Sequence, residues 1–144
     1  LVRSRGLGDV YKRQELACVL KGGALIAERT PFERVITNIQ DGCLMGYKYF
    51  DFGADYGSKT MQLFADVMGF GCACDVHVRL DAEDGEEIGC FHVGRGAECI
   101  KTRVKAVTGR HALYFAVTTH YSGWTGDFFA GRCLMEFKKF VFMK

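Results

Sequence analysis

The segment from Asp75 to Leu80 alternates strictly: Val76, Val78 and Leu80 are apolar, while Asp75, His77 and Arg79 are polar or charged. A period of two belongs to a strand with one face on a core and the other in water. Glu83-Asp84-Gly85 follows as a turn, and a second apolar run with Ile88 and Phe91 comes after it. Together these predict an antiparallel hairpin over 72–80 and 87–93. A lone hairpin is marginal in water, so such a chain must supply further strands to cover the apolar face.

Short apolar runs separated by Gly, Asp and Asn supply them. They predict strands near 16–20, 24–27, 34–39, 43–52, 60–67, 72–80, 87–93, 99–107, 111–119 and 133–143. Twelve Phe, six Tyr and a single Pro suit strands joined by tight turns. Leu113, Phe115 and Val117 take one face of their strand, and Ala112, Tyr114 and Ala116 the other. Apolar residues on both faces place that strand centrally in a sheet. Phe137 is out of phase with Phe140 and Phe142, which predicts a bulge at Lys138-Lys139. The 60–68 segment, with its Met, Gln, Leu and Ala, also admits a helix; its neighbours favour a strand. The expected fold class is all-β, an antiparallel two-sheet sandwich.

Residues 1–14 read LVRSRGLGDVYKRQ. The segment is basic and ends where apolar patterning begins. Its GLGDVYKRQ portion resembles the translated sequencing-adaptor read-through found at the ends of metagenomic reading frames. The folded unit is therefore expected to be one domain over 15–144. Setting aside Arg3, Arg5, Lys12, Arg13 and Asp9 leaves 15 basic and 16 acidic residues, a net charge of −1. That balance carries no nucleic-acid footprint. No stretch is apolar and long enough for a bilayer-spanning helix, so no membrane partner is expected.

Seven cysteines, Cys18, Cys43, Cys72, Cys74, Cys90, Cys99 and Cys133, form an odd set that argues against a fully paired disulfide framework. Cys72-x-Cys74 lacks a second pair for zinc, and the thiols read as small buried hydrophobes. The compartment stays open between secreted, periplasmic and cytoplasmic. His77, His92, His111 and His120 are scattered, without the spacing of a zinc motif. The carboxylates Asp81, Glu83, Asp84, Glu86 and Glu87 crowd one turn and read as a solvated loop. Opposed glycosidase acids would stand across a cleft instead. No nucleophile–base set marks the chain as an enzyme.

Three segments carry a resemblance. Asn38 to Gly53 reads NIQDGCLMGYKYFDFG, Gly109 to Phe115 reads GRHALYF, and Phe137 to Phe142 reads FKKFVF. Their order and spacing resemble the family 6-like carbohydrate-binding domain at the C-terminus of glycoside hydrolase family 43 enzymes. The resemblance implies a β-jelly roll of the galactose-binding-like kind. It also implies plant cell-wall polysaccharide of the xylan or arabinoxylan type as the ligand. A catalytic propeller N-terminal to this chain would be its partner and would carry the catalytic carboxylates, so no catalytic residue is assigned here.

The family's cleft uses a Tyr and a Trp that flank a sugar ring, plus an Asn near the last strand. Here Gly94-Arg95-Gly96-Ala97-Glu98 stands where the Trp is expected, and no Asn lies at Glu136 to Lys138. The lone Trp lies instead in the long loop Thr119 to Gly131. Tyr121, Trp124 and Asp127 of that loop, with Tyr47, are the candidate sugar-binding residues: flat rings for sugar C–H faces and a carboxylate for hydroxyls. Glu28 and Asp127 are the candidates for the family's structural calcium. Two functions remain in play: a polysaccharide-binding module, or a structural domain that buttresses the propeller.

Overall fold

In the computed structural model of the chain, residues 2–3, 10–13, 19–31, 33–54, 57–120 and 130–143 are described. Their elements are all strands: β1 (Val2–Arg3), β2 (Val10–Arg13), β3 (Val19–Lys21), β4 (Leu25–Thr30) and β5 (Glu33–Ile39), then β6 (Leu44–Asp51), β7 (Thr60–Leu80), β8 (Glu86–Lys105), β9 (Arg110–Thr119) and β10 (Met135–Met143). Side chains are described from Val19 onward. The Leu16-Ala17-Cys18 part of the first expected strand lies outside the described residues.

Two long strands organise the fold. β7 and β8 form one antiparallel hairpin that runs from Thr60↔Lys105 to Leu80↔Glu86. The predicted strands 60–67 and 72–80 are thus two halves of β7, and 87–93 and 99–107 two halves of β8. The helix alternative for 60–68 is not taken up. Gly94 to Glu98, which lies between the expected strands 87–93 and 99–107, is continuous strand.

The β7 burial pattern shows how one strand serves two sheets. Met61, Leu63, Ala65 and Val67 are buried, then Cys72, Cys74, Val76, Val78 and Leu80. The parity flips across Phe70 and Gly71, both exposed. Register slips between Phe70 and Cys74, and Gly71 has φ +87°, a conformation that favours glycine. The strand turns a corner here, yet keeps both halves facing one core. The first sheet runs β4-β5-β10-β7-β8, with the N-terminal half of β7. The second runs β3-β6-β9-β7-β8, with the C-terminal half. This is the expected antiparallel two-sheet sandwich, and β9 lies between β6 and β7 as its two apolar faces predicted.

Aromatic rings from both sheets fill the interior. Phe115 packs edge-on to Tyr47 and Phe137 and against Phe140. Phe50, Phe52, Phe140 and Phe142 interlock beside them. The bulge expected in β10 is present: the register with β7 shifts between Phe137 and Lys139. It brings Phe137, Phe140 and Phe142 onto one buried face.

The free thiols divide rather than all being buried. Cys43, Cys72 and Cys74 are buried, Cys90 and Cys99 are exposed, and Cys133 is intermediate. Burial, with Asp75 nearby, pushes the Cys74 thiol up to about 12. Cys90 and Cys99 fall on outward positions of β8, where the core has no use for a small hydrophobe.

One edge of β10 receives β5 at Met135 and Phe137, and β2 at Lys139 to Phe142. The segment read as foreign to the domain therefore contributes paired backbone. The reason is general: a sheet edge offers N–H and C=O groups that any nearby extended segment without Pro can satisfy. A chain that starts at Glu15 is expected to keep the sandwich. It loses this edge pairing, with an expected thermal midpoint shift of no more than about 5 °C. Differential scanning calorimetry checks this; collapse of the cooperative transition would make residues 1–14 integral to the domain.

Candidate functional site

The sequence placed its sugar site mainly in the 119–131 loop. Tyr121, Trp124 and Asp127 lie outside the described residues, but both roots of their segment are defined. At one root Thr119 donates its backbone N–H to Asp41 Oδ1 at 2.9 Å, and its Oγ1 donates to the Ala73 carbonyl at 3.3 Å. At the other, the Leu134 carbonyl accepts the Phe70 N–H at 3.2 Å. Both roots thus meet at the β7 corner.

That corner carries an aromatic the sequence reading passed over. Phe70 is 48% exposed and pairs with Arg95, also exposed, across the hairpin. The only sequence signal is its position between Gly69 and Gly71. Reading it needed the parity flip, which shows only when the burial of both halves of β7 is known.

Tyr47 does not join this surface. It is 1% exposed and packs its ring edge against Phe115 and Phe140. Its inward position on β6 makes it a core residue, which withdraws it as a sugar contact. Glu28 stands exposed on β4, opposite Arg34. Among the described residues it belongs to no group of three or more close metal-binding side chains.

The outer face of the second sheet is polar on one side and apolar on the other. Tyr114 lies over Gly46, where an added Cβ would come within 2.8 Å of the ring. Leu44 and Ala112 pack beside it. A groove of about 430 Å³ opens next to Tyr114, lined also by Val19, Lys21, Lys48 and the 82–84 turn. Lys21 pairs with Glu83 across it. The acidic turn is thus solvated, and part of its charge is used in an ion pair.

On the polar side His77 Nδ1 donates to Glu87 Oε1 at 2.6 Å, and its Nε2 lies 3.0 Å from Thr118 Oγ1. Asp75 accepts from His92 Nδ1 at 3.1 Å and from His120 Nε2 at 2.6 Å. Burial pushes the Asp75 carboxyl up; the hydrogen bonds from His120 and His92 outweigh it and hold the carboxyl below its ordinary 3.8. The histidines read as scattered are therefore in part gathered by the fold.

No protein-family model matches the chain, and no curated protein sequence does. Solved structures do. A family 6 carbohydrate-binding module from Clostridium cellulolyticum, in complex with xylose, superposes with a TM-score of 0.75 at 20% identity, over 93% of this chain and 96% of that one. The fold is that of the family 6 carbohydrate-binding modules. The module from Cellvibrio mixtus lichenase 5A, in complex with cellotriose, gives a TM-score of 0.74 at 10% identity, over 96% of this chain and 98% of that one. A glycoside hydrolase family 43 arabinoxylan arabinofuranohydrolase from Bacillus subtilis, in complex with cellotetraose, gives 0.73 at 25% identity. That match covers 93% of this chain and only 27% of the hydrolase.

Proposed function

We propose that the chain is a non-catalytic carbohydrate-binding module of a plant-polysaccharide-degrading glycoside hydrolase. It holds xylan- or arabinoxylan-type chains at the end of the sandwich where the 121–129 segment is rooted. The observation that carries this reading is Phe70, a half-exposed ring on the β7 corner between both roots of the segment that contains Tyr121 and Trp124. Flat aromatic faces such as those of Phe70, Tyr121 and Trp124 suit sugar C–H groups, and a carboxylate such as that of Asp127 suits a hydroxyl. The fold shared with modules solved in complex with xylose and cellotriose supports it.

Affinity is expected on the order of millimolar to tens of micromolar, as suits a few ring and hydroxyl contacts. In affinity electrophoresis on xylan or arabinoxylan, Trp124→Ala should abolish retention while the fold is kept. Phe70→Ala should weaken it. Retention that persists in both variants would move the site elsewhere.

A second reading is a buttress for a catalytic propeller, with little sugar binding of its own. The match to about a quarter of a larger hydrolase favours it. An unmutated chain that no plant polysaccharide retards would select it.

A further inference from the structure

Asp75, His92 and His120 come from three adjacent strands or their ends. Asp75 is on β7, opposite His92 of β8 and Thr118 of β9; His120 directly follows β9, two residues after Thr118, and reaches the same Asp75 carboxylate. Their ligand-capable atoms all lie within 4.8 Å of one another. The imidazole rings face each other at 5.2 Å, tilted by 30°. We propose that these three side chains form a site for a divalent first-row transition metal ion such as zinc.

The donor set fits that class. Two imidazoles and a carboxylate suit zinc and its neighbours better than calcium or magnesium, which want oxygen. Zinc bonds of about 2.0–2.1 Å put tetrahedral ligand atoms roughly 3.3–3.5 Å apart. His92 Nδ1 and His120 Nε2 each bond one of the two oxygens of Asp75, at 3.1 and 2.6 Å, so both imidazole nitrogens already face the carboxylate, and these contacts need to lengthen by less than about 1 Å to reach ligand spacing. Asp75 and His92 sit on a paired register, which fixes two ligands on rigid backbone. Three protein ligands leave a fourth position open to solvent, since His92 and His120 are both about half exposed.

The test uses the full chain, free of any affinity tag and stripped with chelator, titrated calorimetrically with zinc chloride. One ion per chain should bind. Asp75→Asn, His92→Gln and His120→Gln should each weaken binding more than about tenfold, with unchanged far-ultraviolet circular dichroism. Because the chain has free thiols, cobalt(II) is the second probe: its spectrum should lack a thiolate charge-transfer band. Absence of saturable zinc binding, affinity indifferent to all three substitutions, or a thiolate band would each overturn the site.

Discussion

Phe115→Ala is expected to cost about 3–5 kcal/mol of folding stability, the range for removing a large aromatic from a packed core. Phe115 is fully buried. It sits on β9, in the middle of the second sheet, and reaches across to Phe137 and Phe140 of the first. The substitution therefore empties space at the contact between the two sheets, where neither can collapse without moving the other. Urea unfolding should show a lower midpoint with an unchanged slope. A loss below about 1 kcal/mol would mean that the interior is far more yielding than this ring packing implies.

The second large effect is expected at the corner between the sheets. A Cβ added at Gly69 would lie 2.4 Å from the Gly94 carbonyl oxygen and 2.9 Å from its carbon. The opposing atoms are backbone, so no side chain can swing away. Gly69→Ala should cost ~3 kcal/mol, at the upper end for overpacking. Gly94→Ala makes a matched control, because a Cβ there meets nothing within 4 Å. It should be neutral, or stabilise by up to about 1 kcal/mol through the unfolded chain. Thermal unfolding of the two variants side by side checks the asymmetry; equal effects would contradict the close approach of β7 and β8 at the corner.

The proposed metal site and Phe70 share this corner region, which gives Gly69→Ala a further use. Phe70 and Asp75 flank the turn in β7, so a distorted corner should disturb sugar retention and zinc binding together. Trp124→Ala should affect only the first.

Much of the fold was legible because burial in a sheet writes a period of two into the sequence. Val76, Val78 and Leu80 against Asp75, His77 and Arg79 declared their faces. Leu113 to Val117 declared a central strand, and the phase slip around Lys138-Lys139 declared a bulge. Those signals are local, and the physical rule behind each spans only a few residues. The tertiary structure decided the rest. Only the sandwich shows that 60–67 and 72–80 are one bent strand, that Tyr47 points into the core, and that Phe70 points out of it. Asp75, His92 and His120 are 17 and 28 residues apart in the chain. No motif at such spacing marks a ligand set, because pairing of β7 with β8 on one side and β9 on the other brings them together. The pairing of β2 with β10 was likewise invisible, since main-chain hydrogen bonds at a sheet edge accept almost any extended segment within reach.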